Sequence, residues 1–131
     1  MKVDELKLGV LDTLAQVIVF ERNGTMVDSC HGLADISALI GQSAFDIFPL
    51  VGSIKEVLAG LTTEAPPIKL PAVEFLLIDK KGYFDIQFFA HPANPDLLVW
   101  VLVDNTSLYE YFGKIQKERN LLRMEKEQAK R

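Results

Sequence analysis

At 131 residues, 49% hydrophobic and 24% charged, the chain has the length and composition of one globular domain with an appendage, not of a disordered segment. The formal net charge of −4 divides unevenly: residues 1–105 hold 7 Lys/Arg against 14 Asp/Glu, a net of −7, while residues 106–131 hold 7 against 4, a net of +3. An acidic body argues against a nucleic-acid surface, and the longest apolar runs are strand-length, too short for a membrane span. Asp4 and Glu5 stand where a signal peptide would carry its basic start, and the single Cys30 allows no internal disulfide, so a reducing cytoplasm is the expected compartment.

In chain order, Val3, Leu6, Val10 and Leu14 fall three and four apart and predict an amphipathic helix over residues 3–14. Val17 to Phe20 reads as a short strand, Arg22-Asn23-Gly24-Thr25 as a turn, and Met26-Val27 as the start of the returning strand of a hairpin. Short helical pieces are expected at residues 36–40, 44–48 and 53–58, punctuated by Gly41, Pro49 and Gly60. Pro66-Pro67 and Pro71 lie in an extended lead-in to a strand from Val73 to Asp79, and Lys80-Lys81-Gly82 is expected to turn the chain into a strand over 83–90. After the loop His91 to Pro95 comes a last strand, Leu97 to Val103, which passes through Asp104-Asn105-Thr106 into a charged helix running to Arg131.

This order predicts an α+β fold: one antiparallel five-stranded sheet, short helices on one face, and a long helix leaving at the end. The last two long strands carry large apolar residues on both alternating sets, so both sheet faces are expected to be covered, one of them by the N-terminal helix or by a second copy of the chain. The division is a cap helix at 1–14, a core at 15–105 and an outgoing helix at 106–131.

Four local patterns resemble the PAS family of sensory domains, in order, over roughly residues 10–110. Phe20 to Val27 resembles the family's first hairpin. The stretch Leu39 to Pro49 resembles its Gly-containing helical segment ending in Asp-hydrophobic-Phe. Asp79-Lys80-Lys81-Gly82-Tyr83-Phe84 resembles a turn between later strands, and Asp104-Asn105-Thr106 the Asp-x-Thr that hands over to a signalling helix. The resemblance implies a module of a larger bacterial signal-transduction protein, histidine kinase first and diguanylate cyclase next. It further implies a small-molecule ligand between sheet and helices, with Leu98, Trp100, Leu102, Ile86, Phe88 and Ala90 facing inward and Phe45, Phe48, Ile54 and Leu58 as the helical lid. The alternative is a ligand-free adaptor with a packed core that dimerises and aligns flanking domains.

At the strand-to-helix joint, Asp104 and Thr106 are the expected relay residues, and Ser107 followed by Glu110 fits a capping box at the helix start. Beyond it, Leu108, Phe112, Ile115, Arg119, Leu122, Lys126 and Ala129 follow a 4-3 spacing, which predicts a parallel two-stranded coil. Homodimerisation is thus expected through Val3, Leu6, Val10 and Leu14 and through Leu108, Phe112, Ile115 and Leu122, with an output domain of the same parent chain beyond.

Dedicated chemistry is sparse. The reactive-cysteine motif of flavin photoreceptors is missing, since Cys30 closes the second strand, and the segment Val51–Gly60 holds no axial His for haem. Neither haem nor covalent flavin is therefore expected; non-covalent flavin stays open through stacking on Trp100. His31 and His91 are isolated, and no metal-ligand spacing, P-loop or dinucleotide signature is present. Asp85 and Glu74 are the carboxylates on strands, but parity turns both to the outer face, so no enzymatic activity is expected of the chain itself.

Overall fold

The structure, a computed structural model, describes residues 15–30 and 32–129. The predicted cap helix with Val3, Leu6, Val10 and Leu14 lies outside the described residues, as does His31.

The apolar run at the start folds as β1 (Ala15–Glu21), buried on both faces from Ala15 to Phe20, and turns back into β2 (Met26–Cys30). Gly24 holds that turn at φ +100, and a Cβ on it would lie 2.7 Å from the Phe45 ring, so the position needs glycine both for its backbone and for the close approach of the helices. A 3-10 turn (Ser37–Leu39) and three short helices follow: α1 (Ala44–Ile47), α2 (Pro49–Ser53), begun by a proline at its first turn, and α3 (Lys55–Ala59). Then come β3 (Ile68–Leu77), β4 (Lys80–Ala90), β5 (Leu97–Asp104) and α4 (Thr106–Ala129).

The five strands form one sheet in the order β2-β1-β5-β4-β3, with every neighbouring pair antiparallel. The short helices pack on one face. Ile18, Phe20, Ile86, Phe88, Leu98, Trp100 and Leu102 meet Ala44, Phe48, Val51 and Leu58 there in the main core. On the opposite face Val17, Val19, Cys30 and Val99 form a second buried cluster with Phe89, Leu97 and Val101 beside it, so the sheet is apolar on both sides, as the strand patterns required.

Three local expectations are corrected. The β3–β4 turn falls at Ile78-Asp79, with Ile78 at φ 60, while Lys80, Lys81 and Gly82 pair inside β4. Pairing of β3 begins at Ile68, not Val73: Pro71 and Ala72 sit at a bulge between Leu70 and Val73, which a proline tolerates because β3 is a sheet edge. The helix α4 begins at Thr106, so Ser107 is already inside it and the capping box with Glu110 gives way to a cap from Asp104.

Two polar side chains lock the loops to this frame. Gln16, fully buried, donates to Ser29 Oγ at 2.7 Å and accepts from the N–H groups of Gly32, Leu33 and Ala34 at 2.9–3.2 Å. The Arg22 guanidinium donates to the carbonyls of Ala59, Leu61 and Pro95, tying the end of α3 to the loop before β5.

Candidate functional site

The interior between sheet and helices is organised around Trp100. Alternation along β5 puts Leu98, Trp100 and Leu102 on the inner face, and the β4 register sets Phe88 opposite Trp100 and Ile86 opposite Leu102. Phe88 stacks on Trp100 with centroids 5.6 Å apart and planes 16° apart, while Phe48 meets it edge-on at 5.0 Å and Phe75 at 5.9 Å. Leu58 and Phe48 are buried against this group and Phe45 and Ile54 are half-buried, so all nine candidate pocket residues fall in one cluster. Ala90 joins them at the far end of β4. Phe75 was not foreseen; it reaches the group from β3 and also stacks edge-on against Phe84. The rings of Phe48, Phe75 and Phe88 close around the indole. Trp100 Nε1 is nonetheless buried with no hydrogen-bond partner among the described residues, an unsatisfied donor of a kind that folded proteins seldom leave. A groove of about 460 Å³ between α1–α2 and β3, lined by Phe48, Pro49, Leu50, Phe75, Leu76 and Ile78, leads from solvent to two of the rings that enclose Trp100.

At the end of β5 the chain is pinned on both faces of the sheet. On the inner side, Asp104 Oδ1 accepts from the Thr106 N–H at 3.0 Å and from the Thr106 hydroxyl, and its other oxygen pairs with Lys80 Nζ at 3.3 Å. Thr106 Oγ1 in turn accepts from the Tyr83 N–H at 3.0 Å. Gly82 makes room for that hydroxyl, since a Cβ there would stand 2.2 Å from it. On the outer side, Asp85 accepts from the Asn105 side-chain amide, from the Tyr109 hydroxyl at 2.6 Å and from the Ala72 N–H at 2.9 Å. Ala72 is held at φ 53, a left-handed conformation that costs a non-glycine residue about 1–2 kcal/mol. One carboxylate thus gathers the β3 bulge, the joint and the first turn of α4.

The electrostatics follow from these contacts. Burial pushes the Asp85 carboxyl up, but hydrogen bonds from Tyr109, Ala72 and Asn105 outweigh it and hold the group below its usual range. Burial likewise raises Asp104, and the Thr106 hydrogen bonds with Lys80 more than reverse it. Tyr109 is raised in turn, by its hydrogen bond to Asp85, by desolvation and by the Asp85 charge.

No family model and no curated protein matches the chain. Among solved structures, the PAS domain from Bordetella pertussis BvgS superposes with a TM-score of 0.56 and 13% identity, covering 85% of this chain and 92% of that one. The chain has the PAS fold. At this identity the likeness speaks for architecture alone, and the roles of particular residues rest on the contacts above.

The remaining candidates are placed by their own contacts. Asp104 and Thr106 stand together at the joint. Leu108, Phe112 and Leu122 are exposed on α4 and Ile115 is half-buried. Asp85 and Glu74 lie on the outer face, as parity required: Asp85 is occupied by the joint and Glu74 pairs with Lys81 at 3.5 Å. His91, expected as a loop or surface residue, is mostly buried, and its Nδ1 accepts from the N–H groups of Ala93 and Asn94, shaping the loop before β5. Among the described residues no group of three or more His, Cys, Asp or Glu is arranged to hold a metal ion, and no helix is long and apolar enough to cross a membrane.

Proposed function

We propose that this chain is a cytoplasmic PAS sensory domain of a larger signal-transduction protein, which turns a change in its interior into displacement of α4 and thereby of an output domain beyond it. By resemblance, that output is a histidine kinase, ahead of a diguanylate cyclase. The observation that carries the reading is the two-sided joint. Asp104 with Thr106 on one face and Asp85 with Asn105 and Tyr109 on the other leave the start of α4 little freedom to move without β4 and β5. A helix tied on a single face pivots; one tied on both follows the sheet.

The input is a small molecule, or a packing change, acting on the aromatic cluster. The unpartnered Trp100 Nε1 favours a ligand with a hydrogen-bond acceptor, entering past Phe48 and Phe75. The three rings closed around Trp100 favour the second reading, a ligand-free adaptor that pairs two copies and aligns their flanking domains. Native mass spectrometry of the purified chain, with fluorescence of its single tryptophan, separates these: a bound small molecule supports the sensor, and a ligand-free dimer supports the adaptor. In the parent protein, Asp104→Ala is expected to uncouple input from output; an unchanged response with intact folding removes the relay.

A further inference from the structure

One glycine in α4 has no packing reason to be there. Tyr109, in the first turn, bonds to Asp85 on the outer sheet face, and Gly113, one turn further, is half-buried on the same side of the helix. Yet an added Cβ on Gly113 would meet nothing within 4 Å outside its own turn. Glycine weakens a helix interior relative to alanine, and Gly113 has neither a positive φ nor a close neighbour to require it. On its sheet side there is open space instead of contact.

That space is a cleft of about 460 Å³, bounded on one side by Ala72 at the β3 bulge and Tyr83 on β4, and on the other by α4. The rings of Tyr83 and Tyr109 stand 6.3 Å apart with their planes at 63°, which makes an aromatic corner. The Tyr109 hydroxyl is committed to Asp85 at 2.6 Å, so its ring is fixed in place. Lys114 and Lys117, three apart on one side of α4, line the cleft together with Glu110. Among the described residues neither lysine has an ion-pair partner. Two ammonium groups against one carboxylate leave this wall with a single net positive charge. Asp85, next to Tyr109, is occupied by its three hydrogen bonds.

We infer that this cleft is a ligand site of its own, separate from the interior around Trp100, for a flat organic anion of single charge such as an aromatic carboxylate. The ring of the ligand lies in the corner between Tyr83 and Tyr109, its carboxylate meets Lys114 and Lys117, and Gly113 supplies the room. A cleft of this volume suits a molecule of one or two rings. Such a ligand touches β3, β4 and α4 together, so it binds best while α4 is docked and holds the helix there. The inference goes beyond the sensor reading and does not depend on it.

Titration of the full 131-residue chain with naphthoate, followed by amide chemical shifts, tests the site. Saturable shifts are expected at Ala72, Tyr83, Tyr109 and Gly113, with slower amide exchange over residues 106–113. Naphthylmethanol, similar in shape but uncharged, should bind about tenfold more weakly, and so should naphthoate to the double variant Lys114→Gln with Lys117→Gln. Gly113→Leu should abolish binding. Its side chain enters the open cleft and replaces a helix-weakening glycine, so the melting temperature should not fall. The inference is overturned by the absence of saturable shifts at millimolar naphthoate, by equal binding of the alcohol, or by undiminished binding to Gly113→Leu. Shifts confined to Trp100 and its neighbours overturn it too, and leave the sensor reading standing.

Discussion

Gly82→Ala tests whether the joint is as tightly built as its distances indicate. An added Cβ would lie 2.2 Å from Thr106 Oγ1, against 3.4 Å for ordinary contact, so the hydroxyl must move by more than an ångström. Moving it breaks the bond from the Tyr83 N–H and the bond to Asp104, worth about 1 kcal/mol each. Alanine is itself better than glycine inside a strand by about 0.5–1 kcal/mol, so the net cost should be about 1–1.5 kcal/mol. Thr106→Ala alone should cost about 2 kcal/mol through the same two bonds. In that background the clash disappears, because the next neighbour of the new Cβ is Thr106 Cβ at 3.5 Å, and Gly82→Ala should become stabilising by about 0.5–1 kcal/mol. The double-mutant cycle thus closes with a coupling near 2 kcal/mol, read from urea midpoints and from amide exchange at residues 105–109. Equal destabilisation by Gly82→Ala in both backgrounds would refute the steric argument.

Three further outcomes are expected. Asp85 and Asp104 are both held below the ordinary carboxylate value of 3.8, so their stabilisation is complete above it and is lost as pH falls through the lower folded values. Exchange protection at the start of α4 should fall in that acid range, and Asp85→Asn should flatten the loss while returning Tyr109 toward its ordinary titration in ultraviolet absorbance. Ile78→Gly should stabilise the fold by about 0.5–1 kcal/mol, read as a higher urea midpoint, because a β-branched residue at φ 60 is relieved of more strain than glycine adds in chain entropy; a lower midpoint would show that the turn is not strained. Trp100→Phe should cost about 1–2 kcal/mol against 3–5 kcal/mol for Trp100→Ala, since phenylalanine keeps most of the packing and removes the unpartnered N–H; a loss for Trp100→Phe above about 3 kcal/mol would show that Nε1 is satisfied in solution.

The sequence carried the sheet well where local pattern and tertiary environment agree. The apolar alternation of β5 correctly separates Leu98, Trp100 and Leu102 from Val99 and Val101, because a period of two survives whatever packs on either face. Gly82 shows where such reading stops. In Lys80-Lys81-Gly82 it looks like a turn glycine, yet it pairs within β4 and is small because Thr106, distant in sequence, comes to rest against it. The actual turn uses Ile78, which no propensity favours at positive φ. Asp85 could be placed on the outer face by parity, but its partners Asn105 and Tyr109 arrive from across the fold and leave no local trace. Gln16 did offer a signal: it is the lone polar residue in a run from Ala15 to Phe20, and a buried amide there must find partners. The Ser107–Glu110 pattern was locally sound and lost to Asp104, whose carboxylate reaches the helix start from the end of the preceding strand.

The proposed input and output lie close together. From Trp100 to Asp104 is four residues of β5, about 13 Å, along a strand paired on both sides by β1 and β4. A strand so held does not bend readily, so a shift of the Trp100 ring must either be absorbed by Phe48, Phe75 and Phe88 or carried toward the joint. A ligand can drive the second course only by binding one arrangement of these rings better than another. Phe75 has a distinctive place in that choice. It touches Trp100 and Phe84 at once, and Phe84 pairs with Asp104 across the β4–β5 ladder. The aromatic contacts through Phe75 and Phe84 and the backbone of β5 therefore end at the same residue, and in the proposed relay Asp104 is where displacement of the interior would become displacement of α4.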